Sequence, residues 1–253
     1  MGKTIAIANQ KGGVGKTTTA VNLSAWLSLL GQKVLLIDID PQGNATSGLG
    51  INKNKLEYCI YDTLINNRSL VDIRKKTNIE GLYLIPATVE LAGAEIEMVS
   101  IPQRELILKN LIKDVKEEYQ YIIIDCPPSL GLLTLNALSS ADTLLIPLQC
   151  EYYALEGLGQ LMNTIKLVQQ RLNSQLTLEG VLLTMFDGRT NLSIQVVDEV
   201  KKFFKNKVYR TIIPRNVRLS EAPSHGKPVM LYDRRSRGAE VYQELAKEVM
   251  GIE

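Results

Sequence analysis

Histidine and tryptophan each occur once and cysteine three times in 253 residues, and these scarcities remove whole classes of function. Cys59, Cys126 and Cys150 are odd in number and widely spaced, so neither a disulfide framework nor a zinc site is expected, and a reduced cytoplasmic setting fits. Cys126, with no histidine near it in the chain, reads as a small buried hydrophobe rather than a reactive thiol. His225 cannot build a multi-histidine metal site and reads as part of a surface turn. No apolar run approaches the ~18 residues of a transmembrane helix, and Met1 to Lys3 lead straight towards a strand without a signal peptide's succession of basic, apolar and small residues. Charge of one sign is also lacking: 29 basic against 27 acidic residues leave +2, so any nucleic-acid contact has to come from a local patch. There is no helix-turn-helix signature for reading a particular DNA sequence. No repeat, low-complexity tract or composition break marks a linker, and a single domain over residues 1–253 is expected.

What the chain has is a βα rhythm, in which short β-branched and aliphatic segments alternate with longer amphipathic ones. Strands are predicted at 4–8, 33–38, 82–86, 121–125, 143–147, 178–184 and 208–212. Helices are predicted at 17–30, 56–65, 90–99, 103–116, 131–141, 156–172, 193–204, 218–225 and 238–250. The fold class is α/β, a doubly wound and mostly parallel sheet with helices on both faces.

The stretch from Asn9 to Thr19 joins the first strand to the first helix and carries Lys11-Gly12-Gly13-Val14-Gly15-Lys16-Thr17-Thr18. Glycines let backbone amides close around phosphate oxygens, and the helix start adds N–H groups and the positive dipole end. Lys16 is placed to reach the β- and γ-phosphates and the Thr17 hydroxyl to ligate Mg2+. The ordinary P-loop pattern is missed at one position, where Gln10 replaces the first glycine, and a second lysine, Lys11, lies inside the loop.

Two strand ends deliver carboxylates to the same edge. Asp38 can approach the metal shell and Asp40 can orient an attacking water, or both can be plain solvated strand-end acids. The run Tyr121-Ile122-Ile123-Ile124-Asp125 describes a strand buried on both faces that brings Asp125 to the metal, with Pro127 and Pro128 stiffening its exit. Further on, the Pro214 carbonyl can receive a base, while Asn216 is equally suited to capping a helix. Lys201, Lys202, Lys205, Lys207, Arg210, Arg215, Arg218 and Lys227 form a basic stretch suited to DNA phosphates, or an ordinary solvated face.

These separated motifs resemble the ParA/MinD superfamily of deviant P-loop ATPases, and most of all the chromosomal ParA, or Soj, partition proteins, over essentially the whole chain. The resemblance implies an ATPase using ATP and Mg2+, with Lys11, Lys16 and Asp40 as its catalytic residues. Lys11 matches the signature lysine that crosses an ATP-bound homodimer to the partner's nucleotide. It implies adenine against Pro214 and Asn216, a nucleotide-sensing turn at Pro127 and Pro128, and a dimer contact near 151–157. Arg189 and Arg218 match arginines associated with sequence-nonspecific double-stranded DNA, and the expected partner is a ParB-like centromere-binding protein. A nucleoid-associated location follows from the same resemblance. The alternatives are a MinD-like membrane-associated division regulator and a nonenzymatic nucleotide-dependent scaffold. Stable membrane association is not expected, because the last helix carries glutamates where a membrane-surface helix is basic.

Overall fold

Ile122, Ile123 and Ile124 show why this chain needs helices on two sides. In the computed structural model, which describes residues 2–151 and 156–252, all three are fully buried in strand β5 (Tyr121–Asp125). Ile123 enters the core on one face of the sheet and its two neighbours enter the core on the other, because successive strand side chains alternate. Each buried isoleucine contributes about 1.5–3 kcal/mol only if its own face is covered.

The sheet has seven strands in the order β3-β4-β2-β5-β1-β6-β7, with β1 (Lys3–Ile7), β2 (Val34–Asp38), β3 (Lys75–Lys76), β4 (Leu82–Ile85), β6 (Thr143–Gln149) and β7 (Thr177–Thr184). All pairs are parallel except the short β3–β4 pair at one edge. From β1 the chain departs towards β2, and from β6 it departs the opposite way to β7, so a crevice opens beyond the carboxyl ends of β1 and β6.

The face of Ile123 is covered by α1 (Lys16–Leu29), α2 (Asn44–Gly48), α10 (Val217–Glu221), α11 (Val229–Tyr232) and α12 (Arg237–Met250). The other face carries α3 (Ile60–Asn66), α4 (Leu70–Ile73), α5 (Leu91–Glu97), α6 (Ile107–Lys113), α7 (Leu132–Ser140), α8 (Glu156–Arg171) and α9 (Asn191–Phe204). Helix α12 starts at Ser236, whose hydroxyl accepts from Ala239 N, and buries Val241, Tyr242, Leu245, Ala246 and Val249 on one side. The sequence suggests that this helix packs against the sheet; it does join that core layer, and it lies along α1, where Tyr242 Oη meets Thr19 Oγ1 at 3.1 Å.

The helix expected at 103–116 is α-helical only over α6, between 3-10 turns at Arg104–Leu106 and Lys116–Glu118, and three further expectations need correction. Residues 208–212 are not a strand. Tyr209 N and Ile213 N do bond to β7, at Val181 O (3.0 Å) and Leu183 O (2.9 Å), but bridges form only at Val208 and Pro214. Between them the Glu248 carboxylate takes Arg210 N at 2.7 Å and Thr211 N at 3.0 Å, which diverts those amides from a ladder. The helix expected at 56–65 begins only at Ile60, because Asp62 reaches back to Cys59 N (2.9 Å) and sets the start there. The helix expected at 218–225 divides into α10 and a 3-10 turn, Ala222–His225, that contains Pro223.

Candidate nucleotide-binding site

Strand parity places the acids. Asp38 and Asp125 end β2 and β5, pair in register, and fall on the face of Leu36 and Ile123, which is the face that carries α1. Ile7, the last residue of β1, pairs with Asp125 on the other side, so the loop from β1 into α1 starts beside both carboxylates.

That loop is fastened at several points. Asn9 donates Nδ2–H to Pro147 O (2.8 Å) in β6 and accepts from Lys11 N (3.0 Å), while Thr184 at the end of β7 donates its hydroxyl to Val14 O (2.9 Å). Gly13 and Gly15 have φ of 74° and 89°, the left-handed region open to glycine at little cost. Gly15 is the N-cap of α1 and offers no side chain, so the first amides of α1 remain for an anion. A methyl group at Gly12 would stand 4.0 Å from Pro128 Cβ, which brings the loop within van der Waals reach of the turn after β5.

The two lysines are held differently. Lys16 is 6% exposed and rests its ammonium on Lys11 O at 3.1 Å. Burial lowers its pKa, and Asp125, Cys126 and Asp40 act in the opposite direction. Lys11 is half-buried and donates to Glu151 Oε2 at 3.1 Å, while Glu151 Oε1 accepts from Gln149. Glu151 was not singled out as a partner by the sequence. It opens the block 151–157, of which Tyr152 to Leu155 lie outside the described residues.

Asp38 and Asp125, alike in sequence, differ in surroundings. Asp38 Oδ2 accepts from Thr46 N (2.8 Å) and Thr46 Oγ1 (2.7 Å), and Oδ1 accepts from Asp40 N (3.2 Å). Burial still pushes its pKa up to about 6, against those hydrogen bonds. Asp125 is fully buried, and neither of its oxygens has a hydrogen-bond partner. Burial, and then Asp38, hold its pKa well above the carboxylate range; the Thr17 hydroxyl, which faces it, and Lys16 act the other way. Asp40 is also buried in the same edge and accepts from Gln42 N at 2.9 Å.

A hard divalent cation fits this set. Asp125 offers two orphaned carboxylate oxygens to a place that the Thr17 hydroxyl and Asp38 also approach. No group of three or more His, Cys, Asp or Glu converges among the described residues, and a magnesium ion that keeps waters and takes phosphate oxygens needs none. Thr46, which anchors Asp38, is the supporting residue that the sequence reading missed.

Beside Gly15 and Thr18 lies a cavity of about 420 Å3 walled by Ile213, Pro214, Leu219 and Tyr242. Its size suits a small-molecule ring system. Asn216 also lines it, but its Oδ1 caps α10 by accepting from Arg218 N at 2.9 Å, which is the plainer of the two roles open to it.

The two arginines assigned to DNA stand outside this crevice and are already paired. Arg189 grips Asp187 with Nε (2.8 Å) and Nη2 (2.6 Å), and Arg218 contacts Glu221 (2.7 Å) and Asp233 (3.3 Å). The basic stretch 201–227 does not lie together either. Helix α9 descends the sheet for about 20 Å, which leaves Lys201 to Lys207 near the amino ends of the strands, while Pro214 returns to the carboxyl edge opposite Phe186. Lys227 lines a small cavity with Thr17 and Thr18 instead.

A glycine loop running from the first strand into a helix, a buried lysine, and aspartates ending adjacent parallel strands define the P-loop nucleoside-triphosphatase class, and this is its fold. The family model described as AAA domain matches residues 2–178. The chain is 67% identical over 249 residues to the sporulation initiation inhibitor protein Soj of Bacillus subtilis, covering 98% of both chains. It is 51% identical over 250 residues to the chromosome-partitioning ATPase Soj of Treponema pallidum, covering 99% of this chain and 98% of that one. A crystal structure of cobyrinic acid a,c-diamide synthase from Mycobacterium smegmatis, with bound ADP and magnesium, superposes with a TM-score of 0.88 at 39% identity, over 99% of this chain and 94% of the other. The chain belongs to the Soj/ParA family of chromosome-partitioning proteins.

Proposed function

We propose that this chain is a Mg2+-dependent ATPase whose ATP-bound homodimer holds double-stranded DNA without regard to sequence, as a switch in chromosome or plasmid partitioning in the cytoplasm, on the nucleoid. The observation that carries the reading is the charge left unanswered at one edge: the orphaned oxygens of Asp125 beside a buried Lys16 whose ammonium has only a loop carbonyl as its recorded hydrogen-bond acceptor. Such an arrangement costs stability until a polyanion and a cation complete it.

Lys16 moves from Lys11 O to the β- and γ-phosphates, and the first amides of α1 cradle them. Thr17 and Asp125 hold the magnesium ion, with Asp38 fixed behind them by Thr46; when bound, the ion neutralises phosphate charge. The Pro214 carbonyl and Asn216 face the base in the cavity beside Thr18. Lys11 exchanges Glu151 for the nucleotide of a second copy, a step helped by the small worth, about 0–1 kcal/mol, of an exposed ion pair. Asp40 orients the attacking water, and hydrolysis removes the charge that Lys11 spans. Arg189 and Arg218 exchange their carboxylates for DNA phosphates, and a ParB-like centromere-bound protein stimulates turnover. The unbroken seven-stranded sheet supports reading residues 1–253 as one domain.

Fluorescence anisotropy with unrelated DNA duplexes, run with ATP and with ADP over a salt series, tests this reading. Binding should require ATP, ignore sequence, fall linearly in log affinity with log salt, and weaken in Arg189→Glu and Arg218→Glu without equal loss of ATP binding. Strong ATP-dependent sedimentation with anionic liposomes and no DNA signal would replace it with a membrane regulator, and ATP binding without phosphate release, even with DNA and the partner present, with a scaffold.

A further inference from the structure

The turn that carries Asp40 is held at every residue but one. Asp40 O accepts from Gly43 N at 2.8 Å, which closes Asp40-Pro41-Gln42-Gly43 into a β-turn. At its entry Asp40 N donates to Asp38 Oδ1 (3.2 Å), and the ring of Pro41 locks its own φ. At its exit Gly43, with φ of 58°, gives its carbonyl to Ser47 N (3.1 Å) and Ser47 Oγ (3.2 Å) in α2. Gln42 is the joint that remains, and its two backbone torsions decide where its N–H and C=O point.

That joint holds the carboxylate. Gln42 N donates to Asp40 Oδ1 at 2.9 Å, which fixes the rotation of the carboxyl group and gives its other oxygen a set place to take a hydrogen of the attacking water. The Gln42 carbonyl in turn accepts from Lys53 Nζ at 2.6 Å. Lys53 opens a 3-10 turn, Lys53–Lys55, whose start is capped by Asn52 accepting from Asn54 N at 3.0 Å. The lysine stem crosses Gly43 closely: a methyl group added there would stand 2.7 Å from Lys53 Cδ and 2.6 Å from Ala87 O. The bare Cα of Gly43 therefore makes room for the stem as well as permitting the positive φ.

The acceptor that Lys53 takes separates it from a lysine that only balances surface charge. It lines a cavity of about 470 Å3 together with Gln42, Glu57 and Glu90. An ammonium gains more from a carboxylate than from a neutral carbonyl. Among the described residues, however, no ion pair joins Lys53 to either acid, and its ammonium goes to the turn.

We infer that Lys53 is a positioning residue for ATP hydrolysis: by fixing the Gln42 carbonyl it holds the joint whose N–H orients Asp40, and through Asp40 the water. Lys53 has this role only if Asp40 orients the water, as proposed above, and it adds to that reading a residue outside both the phosphate loop and the metal set.

Two variants of the full chain test it. Lys53→Met keeps an apolar stem over Gly43 and removes the donor, while Lys53→Arg keeps a cationic donor. Single-turnover hydrolysis of Mg-ATP should slow about tenfold in Lys53→Met and return to within about threefold of the parent in Lys53→Arg. ATP affinity by calorimetry and the ATP-held dimer by light scattering should stay within about twofold in both, a split that a merely structural role would not produce. Added to Asp40→Ala, Lys53→Met should slow hydrolysis by no more than about a further twofold, because a residue acting through Asp40 has nothing left to place. Unchanged hydrolysis in Lys53→Met, equal losses of rate and ATP affinity, no recovery in Lys53→Arg, or full additivity with a slow Asp40→Ala overturns the role of Lys53 and leaves that of Asp40 standing. Normal hydrolysis by Asp40→Ala alone removes both.

Discussion

Asp125 and Arg189 are both ionisable and both stand at or just past the carboxyl end of a parallel strand, β5 and β7, yet the fold treats them in opposite ways. Asp125 is sealed from water with neither oxygen bonded, whereas the Arg189 side chain is 88% exposed and holds Asp187 through two hydrogen bonds. The first arrangement stores a penalty that a fixed ligand can relieve, because a buried carboxyl group without hydrogen-bond partners is expensive in either protonation state. The second costs almost nothing to keep and little to exchange, because an exposed ion pair is nearly balanced by hydration. An edge built on the first principle discriminates between ligands of different charge; a surface arginine held by the second is easily exchanged to another anion.

The sharpest break in this comparison comes from the buried partner of the acids. Lys16→Ala is expected to weaken ATP binding by at least about 100-fold, whereas Lys11→Ala loses less than about fivefold but fails to dimerise with ATP. Calorimetry and light scattering on the same samples separate the two effects, and equal loss of nucleotide binding in both variants removes the division of labour. Asp40→Ala should leave the ATP-held dimer in place and slow single-turnover hydrolysis by about 100-fold; normal hydrolysis would take Asp40 out of the chemistry. For the stored penalty itself, Asp125→Asn should raise the stability of the nucleotide-free protein by about 1–3 kcal/mol and shrink the further gain from Mg-ATP. A lower melting temperature of the bare variant contradicts it.

The smallest effect belongs to the outer pair. Asp187→Asn frees Arg189 and should raise the affinity of the ATP form for DNA by up to about fivefold, the range of an exposed ion pair. Hydrogen bonds from Arg189 hold the Asp187 carboxyl below the usual carboxylate range. A depressed acid contributes stability above its unfolded pKa and loses it as pH falls through the folded value, so the pair is intact at neutral pH and opens only in strong acid. A carboxyl titration by NMR should therefore show Asp187 returning to the ordinary range in Arg189→Glu, and an unmoved midpoint would assign the shift elsewhere.

The βα order, six of the seven strands and the glycine loop were legible because each rests on residues close together in the chain. Asp38 and Asp125 were equally legible as strand-end acids, and their register follows from parallel pairing. What separates them was not, since Asp38 is satisfied by Thr46 in the next helix and Asp125 by nothing. Lys11 and Glu151 lie 140 positions apart, so no local pattern could join them. Val208 to Ile212 has the composition of a strand, and the distant Glu248 takes the amides of Arg210 and Thr211 instead. Lysine-rich β3 escaped notice for the opposite reason: two polar residues carry no strand signal. The basic stretch 201–227 reads as one patch in sequence, but the segment 208–214 runs along β7 from Val181 to Phe186 between its two halves, a spacing that no local pattern reports.

The treatment of the sheet's two borders limits how copies of this protein can assemble. At one border the two-residue β3 runs antiparallel and ends the sheet on Lys75 and Lys76; at the other the segment after α9 lies against β7 while Glu248 occupies two of its amides. Neither border offers an incoming chain a free row of donors and acceptors. Growth into open-ended fibres by adding strand to strand is thereby closed off, and a high local concentration of subunits does not by that route convert them into an aggregate.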